Sequence, residues 1–563
     1  MTLLSRLRSH VTLVSLGGVC LYALLMCGGC MWLAGPPAVP PGPAFTSETP
    51  READADAKDW YPRVFDDLEK VPREQEQPPQ QAGDMSITIR EAVRLALAGN
   101  HRIRVASHGP EQAAADLAEA RSVYDTELFG ELTYSHDENA EVVCFEDTAE
   151  RTARTKEGTV GLRQHLPTGA TVSIAEQITD ATETGEVLGD QDDDNAASII
   201  ELTQPLLRNI GDRQNRAAIK VARIDRHSSY QTFRREVIEA VFDTTQSYWE
   251  LDRAEKDVRI AERNLAMARD VLEHERSRRE EGLSNPLNVH RALEAVEQRG
   301  AALDRARQAA DVAEDRLKLA LNASATPVGS QRRILTADDP TSTLYRVNPE
   351  AAMKRALQHR PELRNAAYAV ESGKVHRRLA RHNLLPRLDL KGTYRHNTND
   401  DPVRVGTEST EITGRNDWTV GLFLTVPLGN LSARARLRKR RSQLREAEMV
   451  LTRTQDRIRT QVRVAVHSIE VAAGEIPSAR RAVRAAEKVL EGERARFELG
   501  QISNLELLRA QDLLARARNA YVRAVTDYNI ALSELYRSEG TLLRQMDIAF
   551  TGADLSEGMK RGS

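Results

Sequence analysis

Few residues in this sequence are of a type and spacing that could do covalent chemistry. The thirteen histidines are scattered and form no metal-ligand spacing with cysteines or carboxylates. The sequence contains neither a phosphate-binding Gly-Lys-Ser/Thr loop nor a nucleophile elbow. We therefore predict no catalytic site, no metal and no cofactor, and expect the protein not to be an enzyme.

The reactive side chains that do stand out are cysteines near the N-terminus. The sequence has four of them: Cys20, Cys27, Cys30 and Cys144. Arg6 and Arg8 precede the uncharged stretch 11–26, a pattern typical of an export signal over residues 1–30, and this stretch is short for a membrane-spanning helix. The small residues before Cys30 resemble a bacterial lipoprotein cleavage box, which predicts acylation of Cys30 as a lipid anchor. Plain cleavage of the signal and a retained anchor are the alternatives.

The composition indicates long packed helices rather than ordinary globular domains. Of the 563 residues, 29% are charged and 4% aromatic, and the formal net charge is −4. Arginines alternate with acidic residues, so we read the charges as solvated helix faces and expect no nucleic-acid partner. A Pro-rich, polar segment over residues 31–85 is predicted to be a linker.

The chain is internally duplicated, and the duplication sets its predicted domains. Residues from Ala96 onward align with those from Ala356 onward, and Gly211 and Gly282 align with Gly429 and Gly500. A period this long exceeds that of solenoid repeats, so it indicates one duplicated structural half. We predict a first repeat at 86–323, a connector at 324–347, a second repeat at 348–545 and a tail at 546–563.

Each half contains a seven-residue hydrophobic repeat. In the second half the repeat is Leu507, Leu514, Tyr521, Tyr528 and Leu535; in the first it is Val289, Val296, Leu303, Ala310 and Leu317. This spacing predicts long antiparallel helices, at about 213–281 and 432–499, each followed by a return helix in a coiled coil. Arg299 interrupts the small positions of the first seam without an evident reason. Gly474 and Pro477 are expected to break the second long helix.

Short segments of alternating apolar and polar residues lie between the helices. They occur at 128–135 and 200–203 in the first half and at 388–395 and 419–426 in the second. Such alternation is typical of membrane barrel strands with a polar lumen, and equally of a two-sided sheet in a soluble protein. Its recurrence in both halves favours the barrel, which four strands cannot close, so several chains must contribute. An extra hairpin at 158–178 would either cap the outer mouth or lengthen the strands.

Several motifs together resemble the TolC-type outer-membrane efflux proteins. The motifs are Arg360-Pro361-Glu362-Leu363, Leu202-Thr203-Gln204-Pro205-Leu206-Leu207, Leu424-Thr425-Val426-Pro427-Leu428-Gly429, Arg496-Phe497-Glu498-Leu499-Gly500 and Leu505 to Gln511. The resemblance implies an α+β membrane protein: a homotrimer with a twelve-stranded β-barrel, four strands per chain, continued by a long α-helical coiled-coil tunnel. It implies a passive exit duct of a tripartite efflux or type I secretion system in the bacterial outer membrane, spanning into the periplasm. The implied partners are a periplasmic adaptor, an inner-membrane transporter and outer-membrane lipids.

The resemblance also assigns the residues around the two glycine turns, at Gly282 and Gly500. It places Gly282, Leu287, Gly500 and Leu505 at the periplasmic tips, where an adaptor would dock. It makes Glu506, Arg509, Asn288 and Arg291 the candidates for a constriction of the tunnel. A ring of Glu506 would attract cations, whereas a contact with Arg509 would reduce its net charge. The alternatives are simple helix C-caps for the glycines and ordinary solvated charges for the others. The rival function is a lipid-anchored periplasmic coiled-coil scaffold without channel activity.

Overall fold

The computed structural model covers the helices and strands of both halves of the chain. It describes residues 84–143, 147–185, 191–323, 326–330, 332–399, 403–405, 408–410 and 415–548. The predicted signal at 1–30 with the anchor Cys30, nearly all of the linker at 31–85, Cys144 and most of the tail at 546–563 lie outside these residues.

The two halves repeat one order of elements. The first half contains β1 (Met85–Ile87), α1 (Ile89–Gly99), α2 (His101–Ser122), β2 (Glu127–Val143), β3 (Asp147–His165), β4 (Thr171–Gly185), β5 (Gln191–Pro205), α3 (Asp212–Asn215), α4 (Ala217–Glu280) and α5 (Pro286–Leu321). After β6 (Ile334–Thr336), the second half contains α6 (Pro349–His359), α7 (Pro361–His382), β7 (Arg387–Asn399), β8 (Val403–Val405), β9 (Glu408–Thr410), β10 (Arg415–Thr425), α8 (Leu431–Glu498), α9 (Asn504–Glu539) and α10 (Leu542–Gln545). In each half the order is helices, strands and then a long helical hairpin.

One antiparallel sheet gathers strands from both halves. Its order is β10-β7-β5-β4-β3-β2, so β5 of the first half pairs with β7 of the second. The chain therefore contributes six strands, not the four that the resemblance implies. The additional strands are β3 and β4, which extend well beyond the hairpin predicted at 158–178. The sequence concealed their length because the stretch from Asp147 to Glu157 is polar and charged and lacks an alternating apolar face.

The two faces of this sheet differ in polarity. One lateral row of paired residues is apolar across every strand: Leu128, Leu162, Ile174, Ile200, Tyr394 and Trp418. The adjacent row on the opposite face is polar: Glu127, Arg163, Ser173, Glu201, Thr393 and Thr419. Phe423 is an aromatic residue on the polar face, where the Lys391 ammonium lies 5.1 Å from its ring centroid.

The long helices form two antiparallel pairs, α4 with α5 and α8 with α9. With 64 and 68 residues, α4 and α8 are each about 100 Å long at 1.5 Å per residue. The expected break at Gly474 and Pro477 was wrong, because α8 continues through both positions. Ile476, directly before the proline, is 2% exposed in the core that α8 shares with α9. Ala479, beyond the proline, packs against the same core, so packing holds the helix on both sides of Pro477. No helix in the described part of the chain is long and apolar enough to cross a membrane.

The segment between the halves is fastened to helices by buried tyrosines. β6 pairs with β1 in parallel, and the Tyr248 hydroxyl donates to the Ile87 carbonyl oxygen at 3.1 Å and accepts from the Asp338 amide of the connector at 3.0 Å. The Tyr528 hydroxyl donates to the Thr343 carbonyl oxygen at 2.9 Å and accepts from the Tyr345 amide at 2.8 Å. These bonds satisfy both hydroxyls inside the protein and tie the connector to α4 and α9.

Candidate functional site at the hairpin tips

The first tip turns through a glycine in the left-handed conformation. α4 ends at Glu280, and Gly282 has φ of 76°. The Leu283 amide donates back to the Arg278 carbonyl oxygen at 2.7 Å, which satisfies one of the last carbonyls of the helix. Asn285 then caps α5, its side-chain oxygen accepting from the Leu287 amide at 3.0 Å.

The second tip repeats this geometry with a stronger cap. Gly500 has φ of 72°, and the Gln501 amide donates to the Arg496 carbonyl oxygen at 2.9 Å. Ser503 begins α9 with a capping box, in which its amide donates to the Glu506 carboxylate at 2.9 Å. Both glycines thus occupy a conformation that other residues adopt at a cost, which agrees with their predicted place at helix ends.

A buried asparagine and a small apolar core join the two tips. Asn504 is fully buried, and its side-chain amide donates to the Asn288 carbonyl oxygen at 2.7 Å. The core beside it combines residues of both hairpins: Val271, Leu272, Ala292, Phe497, Leu507 and Leu508. Sequence reasoning missed Asn504, because a polar residue in the first turn of a helix ordinarily faces solvent. The sequence signal for Asn504 was a difference between the halves: the aligned residue of the first half is Pro286, which has no side-chain amide.

The four candidate constriction residues lie on the first two turns of the return helices. Glu506, Arg509 and Arg291 are exposed and Asn288 is partly buried. The Glu506 carboxylate bonds to the amide and hydroxyl of Ser503, and within the described residues it forms no ion pair with Arg509. The possible contact at i, i+3 is therefore replaced by the capping box, which orients the carboxylate along the helix end.

Near the tips, the buried side chain of Arg299 donates hydrogen bonds to four different residues. Its side chain is 7% exposed, and it donates to the Gln511 side-chain oxygen at 2.6 Å and to the Asp512 carboxylate at 2.9 Å. It also donates to two backbone oxygens, at 3.0 Å to Leu508 and at 3.1 Å to Asn264. Burial lowers the pKa of this guanidinium, and Asp512 opposes that effect. Arg299 thus replaces a small residue of the seam, and its hydrogen bonds link α5 to α4 and α9.

Apolar side chains are exposed at the outer ends of both hairpins. Leu283, Leu287 and Leu499 are 65%, 51% and 73% exposed, while Leu505 is partly buried. Among the described residues no group of three or more His, Cys, Asp or Glu is placed to hold a metal ion. The tips therefore present exposed apolar side chains next to exposed charged ones.

Comparisons with known proteins agree with this architecture. The chain is 25% identical over 346 residues to the outer membrane efflux protein BepC of Brucella suis, which covers 61% of this chain and 72% of that protein. It is 25% identical over 323 residues to the outer membrane protein TolC of Vibrio cholerae, covering 55% and 69%. The fold is that of the CmeC outer membrane channel of Campylobacter jejuni, with a TM-score of 0.58, 14% identity and coverage of 92% and 97%. The sequence pattern of the outer membrane efflux proteins matches residues 179–323 and 352–541, more than half of the chain, and the protein belongs to that family.

Proposed function

We propose that three copies of this chain form the passive exit duct of a tripartite efflux or type I secretion system. The duct would carry substrates from the periplasm, or from an inner-membrane transporter, through the outer membrane. The observation that carries this proposal is the joining of one sheet with an apolar face to paired helices about 100 Å long.

Closure by several chains follows from the edges of the sheet. Among the described strands, β2 and β10 are the edges of the sheet and each has a paired neighbour on one side alone, although they are 17 and 11 residues long. Unpaired backbone groups in a lipid environment are costly, so an open sheet edge does not persist there. Pairing β10 of one chain with β2 of the next satisfies both edges and closes a ring.

The hairpin tips are proposed as the docking surface of a periplasmic adaptor protein. Leu283, Leu287 and Leu499 expose apolar area beside Gly282 and Gly500, and the backbone at both glycines is open to solvent. Three chains with two tips each would present a pseudo-sixfold ring of such contacts. The adaptor would connect this ring to the transporter that supplies the energy, because the duct itself would catalyse no reaction.

The constriction is proposed at the first two turns of the return helices. A ring of three Glu506 carboxylates would attract cations, and Arg509, Asn288 and Arg291 would modify its charge and width. The capping box supports this role because it fixes the position of the carboxylate without neutralising it.

The experiment that tests the duct is reconstitution of the purified protein in a planar lipid bilayer, together with its mass in detergent. We expect a trimer and discrete ionic currents. Monomers in detergent and no current from a correctly folded sample would refute the duct and favour the anchored scaffold.

A further inference from the structure

Strands β3 and β4 are integral parts of the sheet. They lie between β2 and β5, so that β2 pairs with β3, while β5 pairs with β4 and β7. With 19 and 15 residues, both exceed the roughly 9–11 residues that a tilted strand needs to cross a bilayer. In the internal duplication β2 aligns with β7 and β5 with β10, so β3 and β4 are the two strands without a long counterpart in the second half.

The two added strands continue both faces of the sheet. Leu162 and Ile174 stand in the apolar row between Leu128 and Ile200, and Ile178 is 54% exposed on the same face. Arg163 and Ser173 continue the polar row on the other face. A slip of one residue would reverse the faces, so this register is the one that a membrane-embedded sheet requires.

The turn between β3 and β4 is fixed at the helical end of the sheet. The Gly211 amide donates to the Thr168 carbonyl oxygen at 3.0 Å, and the Asn215 side-chain amide donates to the Pro167 carbonyl oxygen at 3.3 Å. Gly169 has φ of 95°, and a Cβ at this position would lie 2.3 Å from the Asn209 carbonyl oxygen. The turn therefore packs directly on the segment that leads into α4, and the hairpin spans the full height of the sheet.

In the described part of the chain, no helix continues from the added hairpin, whereas each of the other long strands joins a helix. α2 leads into β2, β5 leads through α3 into α4, α7 leads into β7, and β10 leads into α8. Each chain thus brings six strands to a junction with four helices. The junction therefore has 1.5 strands for each helix. This ratio sets the circumference of a ring of strands relative to that of the ring of helices.

We propose that three chains close an eighteen-stranded barrel whose width matches that of the helical tunnel; this rests on the trimeric duct proposed above. At a strand spacing of about 4.8 Å and a tilt of about 40°, eighteen strands give a backbone diameter of about 36 Å and twelve give about 24 Å. Twelve helices spaced about 9.5 Å apart give a ring of about 36 Å. At this tilt, a twelve-stranded barrel would be narrower than the ring of twelve helices.

The expected consequence is an exit that admits larger cargo through the outer membrane. Side chains extend about 5 Å from each face of a sheet, so the lumen measures about 26 Å with eighteen strands and about 14 Å with twelve. The inferred class of cargo is therefore bulky solutes or polypeptide segments wider than a twelve-stranded barrel of the same tilt would admit.

Disulfide cross-linking in the intact protein tests the strand count directly. In a Cys144→Ser background, the pair Glu131→Cys and Thr159→Cys joins directly opposed positions and should cross-link. The pair Glu131→Cys and Ala197→Cys lies in the same lateral row but three strand spacings apart, about 14 Å, and should not. The reverse result would mean that β2 pairs with β5 and would overturn the inference.

Polymer exclusion measures the width of the barrel. We would remove Asp147–Gly185, which leaves Leu128 and Ile200 on the same face and allows β2 to pair with β5. Polyethylene glycol about 20 Å wide is added on the side of the bilayer opposite the helices, where the barrel opens. It should enter the unaltered duct and lower its current, but should be excluded from the shortened variant. Exclusion from the unaltered duct would contradict the wide barrel. Absence of any current would instead refute the duct, and the cross-links, which need no current, keep the two failures distinct.

Discussion

Replacing Arg299 tests whether its buried hydrogen bonds hold the tip region together. The side chain contacts two carbonyl oxygens, Gln511 and Asp512, and Gln511 is 5% exposed. Arg299→Ala removes all of these bonds, leaves the Gln511 oxygen without this donor and creates a cavity. Losing a buried charged donor costs about 3–5 kcal/mol where its partner stays desolvated. Because the Asp512 side chain is 45% exposed and regains water, we expect a loss of about 2–3 kcal/mol.

Hydrogen exchange of the purified protein is the assay for this loss. Protection of the amides in the first three turns of α9 and around Asn264 should fall by about 30- to 150-fold, since about 1.4 kcal/mol corresponds to a factor of ten. Amides of α2, remote from the tips in sequence and packing, should keep their protection. The matched control is Arg305→Ala on the same helix, whose exposed guanidinium bonds to Ala301 of its own helix and should change stability by less than about 0.5 kcal/mol.

A second variant separates hydrogen bonding from packing. Arg299→Met keeps most of the volume and removes every donor, so it should remain destabilised relative to the native protein. Full recovery of protection in Arg299→Met, or equal effects of Arg299→Ala and Arg305→Ala, would refute the bonding argument.

Three further predictions concern the constriction, the pH response and the anchor. Glu506→Gln keeps the capping box but removes the charge, so cation selectivity of the bilayer current should fall while thermal stability stays unchanged; unaltered selectivity would remove Glu506 from the constriction. Burial and the neighbouring Arg226 and Arg223 lower the pKa of His227 below 6.5. As the pH drops, the imidazole is therefore protonated in the unfolded state before it is protonated in the folded state. The free energy of unfolding should fall below about pH 6.5, by at most about 1.4 kcal/mol per pH unit. His227→Gln should flatten that part of a thermal-melting profile, and an unchanged slope would contradict the assignment. Cys30→Ser should abolish incorporation of labelled fatty acid, and persistent labelling would exclude Cys30 as the anchor.

The helical part of the fold was predictable because it is encoded by spacing. The seven-residue repeat at Leu507, Leu514 and Leu535 and the glycines after the long helices indicated both hairpins, and the structure confirms them. Pro477 misled because local propensity predicts a break, whereas packing against α9 keeps the helix continuous.

The sheet was less predictable because charged strands carry a weak signal. β3 begins in a polar stretch that has no alternating pattern of its own. Its extent is seen from its pairing with β2 and β4. Arg299 and Asn504 posed a related difficulty. Their roles depend on acceptors more than 200 positions away in sequence, which no local motif specifies.

Electron microscopy of the protein in lipid nanodiscs tests the central claim most directly. The account predicts three chains around a continuous lumen, with a closed barrel in the bilayer and a helical tube about 100 Å long beyond it. A particle without a lumen through the bilayer, held at the membrane surface as a monomeric coiled coil, would contradict it.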